Sequence, residues 1–415
     1  MAAMCTKNLR GLSTGGDALN IVQKPIRIVH PITRLIIGGA QENTMYTAAS
    51  LDKRRYAVEI LSGPQTGSEG SLIDEVRSLN IPLTILPDLL RQISPINDLK
   101  AYQKMSRLFR EREFSIVHTH SSKAGILGRF AARSANVPII VHTIHGWSFH
   151  AYMPGWKRQL YILLERMAAK YSNALIIVSS RDLQKGLDSG IGKPEQYHLI
   201  RSAIPLEEFD PSKVDGSNLR KVFGIPMDTP VIGTVSRFSE QKNPLEWVEV
   251  ASYVHQKNPQ AWFLIVGDGP MRSKVECAIQ KNALGEQTIL TGLRRDIPDL
   301  MSAMDIFILT SLWEGLPRVV PQAMAMCLPV LSNRTDGISE AVQDGVTGFL
   351  FSPDEPALFA QKCIELIKEP EIRKQMGELG RKTVIREFDL NLMVAQIQDL
   401  YDELILKKKR NSYYV

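Results

Sequence analysis

Cysteine is scarce: Cys5, Cys277, Cys327 and Cys363 are the four in 415 residues, and no two form a C-x-x-C pair. That spacing excludes a disulfide framework and the common zinc modules, and it fits a reducing compartment. Long apolar runs are lacking too. Nothing approaches the ~18 residues that a membrane-spanning helix needs. The first 24 residues are polar, with no apolar stretch, so they read as a flexible lead rather than a secretion signal. No D-x-D occurs, so a carboxylate pair holding a metal–diphosphate complex is not signalled, and no metal is expected. G-x-x-x-x-G-K-[ST] is absent, which excludes a P-loop. The nearest approach to G-x-G-x-x-G is Gly267-Asp-Gly269, where Arg272 fills the third glycine's place. A dinucleotide cofactor is poorly supported.

What is present describes a folded, multidomain chain. With 44% hydrophobic and 23% charged residues, the composition excludes disorder and fibrous classes. At roughly 100–200 residues per domain, the length suggests two or three domains. The net charge of +6 is unevenly spread. Residues 1–210 carry 26 Lys+Arg against 18 Asp+Glu, and residues 211–415 carry 24 against 26. The basic half suggests an anionic partner: nucleic acid, a membrane surface or a phosphate-bearing substrate.

Short strands of Ile, Val and Leu alternate with helical stretches. The first half gives strands at 25–30, 56–61, 81–86, 115–118, 139–143, 175–179 and 198–201, with an Arg/Lys-rich helix over about 98–112 and an amphipathic one over about 155–171. The cycle restarts with strands at 231–235, 262–266, 289–291, 306–310 and 329–331, and a helix over about 321–326. Strands apolar throughout, alternating with helices, mean parallel sheets covered on both faces. The fold class is therefore α/β, with two Rossmann-like doubly wound domains: 25–210 and 218–388, joined by a stretch of turn formers at 209–218. A last helix, about 391–407 within a basic tail at 389–415, is expected to cross back to the first domain. Ligands of such sheets bind beyond the carboxyl ends of the strands, so two facing sheets define a cleft.

Four loops at strand ends carry candidate chemistry. Gly38 and Gly39 let backbone approach a ligand before a helix N-terminus; the alternative is a tight strand-to-helix turn. Arg237 and Lys242 share one loop and suit a diphosphate; otherwise they are surface charge. Glu314 can accept hydrogen bonds from sugar hydroxyls, and the N–H groups of Gly315 and Leu316 leading through Pro317 into the next helix can hold phosphate; the plainer reading is a solvated loop. His145, with His118 and His120 nearby in sequence, can hydrogen-bond a hydroxyl or a developing charge, or serve structure alone.

The order and spacing of the motifs resemble glycosyltransferase family 4, the retaining enzymes of the GT-B fold, over about Ile26 to Phe388. The resemblance rests on Gly38-Gly39-Ala40, on the run from Val117 through His118-Thr-His120-Ser-Ser-Lys to Gly125, and on His145-Gly146. It continues through the Arg237-x4-Lys242-Asn243 loop, Val266-Gly-Asp-Gly-Pro270 and Thr291-Gly292. It is strongest over Ala303 to Ala325, which holds Asp305, Glu314 and Gln322, and ends on Gly337-Ile-Ser-Glu340 with Gly345 and Gly348.

The resemblance implies a nucleotide-sugar donor as substrate rather than cofactor. Gly38, Gly39, Gly315, Leu316 and Pro317 would lie against it. His145 would touch the transferred sugar, Arg237 and Lys242 would hold the diphosphate, and Glu314 would meet sugar hydroxyls. Gln322 stands where the family usually carries a second Glu for the ribose hydroxyls. An amide gives one carbonyl acceptor in place of a charged pair of oxygens. The resemblance also implies retention of configuration without a metal, and an acceptor on the basic N-terminal half. There Arg107 and Arg110 lie in one helix, and Trp156, Lys157 and Arg158 open another. Such mixtures of aromatics and cations suit an anionic membrane surface; the alternative is solvated faces and core aromatics.

The expectation is thus transfer of a hexose-type sugar to a saccharide or lipid-linked acceptor in cell-surface polysaccharide or glycolipid synthesis. The place expected is the cytoplasm, at the membrane face, and no nucleic-acid partner is expected. The alternatives are a catalytically weak nucleotide-sugar-binding partner subunit, suggested by Gln322, and a nucleotide-sugar epimerase on the same fold.

Overall fold

Runs such as Ile-Arg-Ile-Val-His and Trp-Phe-Leu-Ile-Val place β-branched and aromatic residues on both faces of a strand, which only a sheet covered on both sides can bury. In the computed structural model, which describes residues 24–412 except 66, 68, 336 and 354, such runs build two sheets. The first contains β1 (Ile26–Ile32), β2 (Tyr56–Ser62), β3 (Leu83–Ile85), β4 (Ile116–His120), β5 (Ile139–Ile144), β6 (Ala174–Ile177) and β7 (Tyr197–Leu199). The second contains β8 (Val231–Val235), β9 (Trp262–Val266), β10 (Thr288–Gly292), β11 (Ile306–Leu309), β12 (Val330–Asn333) and β13 (Gly348–Phe351). Their orders are β3-β2-β1-β4-β5-β6-β7 and β10-β9-β8-β11-β12-β13. Neighbouring strands run parallel in both. The chain is therefore α/β, with two Rossmann-like domains.

In each sheet the winding direction reverses beside one strand pair, β1/β4 and β8/β11. Crevices open at such reversals because successive crossovers leave to opposite sides. The loops after β1, β8 and β11 carry Gly38 and Gly39, Arg237 and Lys242, and Glu314.

The Leu390–Ser412 helix returns to the N-terminal sheet. Its Met393, Val394, Ile397, Leu400, Tyr401 and Leu404 are buried with Ile28, Tyr56, Ile116, Val141 and Ile176. Each such side chain contributes about 1.5–3 kcal/mol when removed from water, so this helix is integral to the first domain. On the opposite face, the Ser122–Ser134 helix packs between the Pro95–Glu111 and Gly155–Ala169 helices. Of the turn-rich stretch at 209–218, Phe209 and Val214 pack with the core of the second domain.

Three local differences from the sequence reading have physical causes. The Arg-rich helix starts at Pro95, earlier than about 98, because Ser94 precedes a proline whose fixed φ suits the first helical position. The helix read as starting near Pro321 begins at Val319, since a first-turn proline owes no intrahelical bond. β13 was not foreseen, being four residues opened by glycine. A Cβ on Gly348 would lie 1.8 Å from the Val330 carbonyl oxygen, so glycine lets β13 join β12. Residues 1–23, most of the polar lead, and 413–415, the end of the basic tail, lie outside the described residues. Among the described residues no helix is long and apolar enough to cross a membrane.

Candidate active site

A cleft of about 540 Å³ separates the two sheets, a size suited to a small-molecule ligand. Gly38, Gly39, Glu42, Tyr46, Glu69 and His145 line it from the first domain; Arg237, Lys242, Glu314, Leu316, Pro317, Arg318 and Gln322 line it from the second. Nine of the ten residues singled out for donor binding or catalysis thus face one space. The tenth, Gly315, packs just behind it.

Gly315 shows how the walls are set. A Cβ there would fall 2.4 Å from the His145 carbonyl oxygen, and one on Gly146 would meet the Gly315 nitrogen at 3.0 Å. Gly315 also accepts a hydrogen bond from the Gly337 N–H at 2.9 Å. Glycine on both sides lets the loop after β11 touch the loop after β5, which brings Glu314 and His145 to one cleft. The Gly38-Gly39 pair differs. Gly38 has φ 175°, extended backbone open to any residue, and a Cβ on Gly39 would make only ordinary contact with Arg318. Backbone strain therefore does not require them. Their effect is to keep the N-terminus of the Gly39–Ser50 helix bare toward the cleft.

The cations are held by carboxylates. Lys242 Nζ contacts Glu314 Oε1, and Gln241 Nε2 donates to Glu314 Oε2 at 3.4 Å. Hydrogen bonds to backbone carbonyls clamp the two loops together: the Leu312 N–H donates to the Gln241 carbonyl at 2.8 Å, and the Thr310 hydroxyl donates to the Asn243 carbonyl at 3.0 Å. Arg237 crosses the cleft to Glu69 Oε1 at 3.1 Å, and Arg34 pairs with the same oxygen at 3.1 Å. Arg318 is 4% exposed. Its Nη1 contacts Glu42, its Nε donates to the Ala203 carbonyl at 2.9 Å, and its Nη2 has no partner among the described residues. A fixed guanidinium with an open N–H suits an anionic oxygen.

Arg318, Glu42 and Glu69 were not singled out from sequence. Arg318 lies inside the strongest motif, next to the residues that were chosen, so proximity was the available signal. Glu69 sits in a loop with no such mark.

His145 is half-buried and lies on a histidine network. His145 Nε2 is 3.2 Å from His120 Nδ1, and His120 Nε2 is 2.9 Å from His30 Nδ1. Burial, then the nearby Arg318 charge, lowers the His145 pKa to about 4. Burial lowers His30 to about 3 and, with its neighbouring histidines, holds His120 well below its ordinary value. All three are neutral at physiological pH. His30, His118 and His120 are also close enough to share a metal ion. Their nitrogens are mostly committed elsewhere: His118 to Tyr401 Oη and Thr143 Oγ1, both at 2.6 Å, and His120 to the two histidines flanking it. The cluster is better described as a hydrogen-bond network than as an ion cage.

The residues read as acceptor-side do not converge on this cleft. Arg107 pairs with Glu111 at 2.6 Å, and Arg110 donates to the Ser134 carbonyl at 3.3 Å, on the outer Pro95–Glu111 helix. Trp156, Lys157 and Arg158 open the Gly155–Ala169 helix. Arg158 lines a separate groove with Arg181, Lys185, Arg201 and Glu340.

The comparisons agree with this geometry. Residues 38–202 match the family described as Glycosyl transferase 4-like domain, and residues 215–383 match Glycosyl transferases group 1. The chain is 31% identical over 389 residues to the UDP-Gal:alpha-D-GlcNAc-diphosphoundecaprenol alpha-1,3-galactosyltransferase of Escherichia coli, covering 92% of this chain and 98% of that protein. It is 24% identical over 361 residues to the capsular polysaccharide biosynthesis glycosyltransferase CapM of Staphylococcus aureus, covering 86% and 92%. The crystal structure of Anabaena HepE in complex with UDP and glucose superposes with a TM-score of 0.79 at 22% identity, covering 91% of this chain and all of that one. Two reversing parallel sheets, a cleft edged by paired cations and the full-length match to a transferase assign this chain to the family 4 glycosyltransferases of the GT-B fold.

Proposed function

We propose that the chain transfers a hexose-type sugar with retention of configuration, without a metal, to a saccharide carried on a lipid at the cytoplasmic membrane face. The observation that carries this reading is the meeting of Arg237, Lys242 and Arg318 in one cleft with His145 and a bare helix N-terminus. Three cations can neutralise a departing nucleoside diphosphate, the task a metal would otherwise perform. The departing phosphate can then receive the acceptor's proton on the same face, and the protein's part is orientation.

The lipid carrier is supported by the outer helical layer. Trp156, Leu160, Leu163 and Met167 are exposed, Trp156 at 73%. Their spacing of four, three and four residues lines them along one face of the Gly155–Ala169 helix, beside Lys157, Arg158 and Arg166. Ile93, Ile96 and Leu99 are exposed at the start of the Pro95–Glu111 helix. Apolar side chains flanked by cations suit an anionic lipid interface. The relative from Escherichia coli is named for an acceptor on diphosphoundecaprenol, a carrier of that kind.

The test incubates the purified protein, in EDTA, with UDP-, GDP- and ADP-sugars and a saccharide-diphospholipid in anionic vesicles. The expected result is transfer from one donor, an unchanged anomeric configuration by NMR, and co-sedimentation that weakens with salt. Inverted product, turnover only with added divalent metal, or protein left in the supernatant would each overturn the corresponding part. Donor binding without turnover under every condition would favour the partner-subunit reading.

Gln322 lines the cleft from the Val319–Ala325 helix, 7% exposed. If it receives the ribose, Gln322→Glu restores a charge-assisted bond worth ~1 kcal/mol, or about fivefold in donor affinity. Calorimetry of the two forms with the active nucleotide checks this. Equal or weaker binding by the Glu form would remove Gln322 from the ribose site.

A further inference from the structure

The histidine network has two loose ends. One is His145 Nδ1, on a residue that lines the cleft. The other is His30 Nε2, within a fully buried residue of β1. Both are buried and without a partner among the described residues. Between them run the two contacts through His120. A neutral imidazole has one N–H and one lone pair. Three neutral rings in a row therefore adopt one of two polarities, and a single choice fixes all of them.

In the first polarity His30 Nδ1–H donates to His120 Nε2, and His120 Nδ1–H donates to His145 Nε2. His145 is then left with a proton on Nδ1, and His30 Nε2 is a bare lone pair. In the second every bond reverses. His145 Nδ1 becomes a lone pair, and His30 Nε2–H becomes a donor with no acceptor among the described residues. Orphaned buried N–H groups are rarer than under-used acceptors, and each polarity leaves one such N–H, at His145 or at His30. His145 lines the cleft, where a bound ligand's oxygen can take that N–H, and His30 does not, so the first polarity is favoured.

We infer that His30 and His120 are positioning residues that lock His145 as a neutral Nδ1–H hydrogen-bond donor to an oxygen of the donor sugar or its phosphate. His145 is then unsuited to act as a base toward the acceptor hydroxyl, because its remaining lone pair is spent on His120. The neighbouring β4 histidine, His118, stands outside the chain, since Tyr401 and Thr143 occupy both its nitrogens. The donor-sugar partner rests on the proposed function; the tautomer rests on the cleft end being the one that a bound ligand can reach.

The test is long-range ¹H–¹⁵N correlation of the histidine rings in the full-length protein, assigned by single substitutions and paired with donor turnover. The expected spectrum shows His30, His120 and His145 all protonated at Nδ1. Finding all three protonated at Nε2 overturns the lock, whatever the activity. His120→Phe should leave His145 a mixture of tautomers and lower kcat about tenfold, the loss of roughly one oriented hydrogen bond, with KM changed less. His120→Asn, whose amide N–H takes the place of Nδ1–H, should restore the His145 signal and bring kcat to within about threefold of wild type. A merely structural His120 would give equal losses in both variants and an unmoved His145 signal, and that outcome overturns the inference. The wild-type spectrum is the readout for the native tautomers, and the substitutions serve there only to assign its signals. If they are as expected but His145→Ala keeps full turnover, the network stands and the proposed contact with donor sugar falls.

Discussion

Lys242→Ala is expected to lower kcat/KM for the nucleotide sugar by about 10³-fold, and Glu314→Ala by about 10²-fold, within the range seen when one preorganised charge-stabilising group is lost. The asymmetry follows from their contact. Lys242 Nζ lies on Glu314 Oε1, with side-chain exposures of 18% and 8%. In the free protein each neutralises the other, and the clamp between the 240–243 and 310–314 loops holds both in place. A bound diphosphate would share the ammonium. Removing the lysine leaves a carboxylate facing that diphosphate at close range, so the variant loses an attraction and gains a repulsion. Removing the glutamate takes away a hydroxyl acceptor but frees the lysine for phosphate. The double variant should therefore be no worse than Lys242→Ala alone, a coupling readable by a double-mutant cycle. Strictly additive losses would show that the two side chains act on separate parts of the donor.

The cleft was legible in the sequence because its parts lie at strand ends. A run such as Ile306-Phe-Ile-Leu is apolar on both faces, which marks a covered parallel strand, and the residues just beyond it fall at the sheet's carboxyl edge. That rule reached Gly38, His145, Arg237, Lys242 and Glu314 without any knowledge of their contacts. It does not reach partners brought in from the other domain. Glu69 pairs with Arg237 and Glu42 with Arg318, and neither pairing leaves a trace in local spacing. The histidine network was half visible. His118 and His120 alternate on β4 and so share a face, but His30 joins them only through the pairing of β1 with β4. The basic residues of the first half were legible as charge but not as a site. Arg107 and Arg110 answer to nearby acceptors on their own helical layer, whereas Arg158 opens onto a different groove. Net charge records how many cations there are, and only packing determines which of them meet.

Arg129→Leu is expected to destabilise the protein by about 3–5 kcal/mol, the cost of stranding one member of a buried ion pair. Arg129 is fully buried in the Ser122–Ser134 helix, and its Nη2 lies 2.5 Å from Glu165 Oε2 on the Gly155–Ala169 helix. Its Nε donates to the Gly125 carbonyl at 2.8 Å, but Nη1 has no partner among the described residues. With leucine at 129, the Glu165 carboxylate remains 2% exposed without its counter-charge. It must then take up a proton or draw water into the layer. Replacing both residues, Arg129→Leu with Glu165→Leu, removes the stranded charge and the unpaired Nη1 together. That double variant should recover most of the loss, since a buried pair with an unsatisfied member gains little over well-packed apolar groups. Thermal and urea unfolding of the three proteins, with the single variant followed from pH 5 to 8, separate the two contributions. Protonating the stranded carboxylate relieves its burial, so the single variant's deficit should shrink as the pH falls, while the double variant's should not change. A deficit of equal size in both variants would instead mean that the pair holds the two helices together by attraction. The layer bearing Trp156 and Arg158 would then depend on that charge for its position rather than on apolar packing.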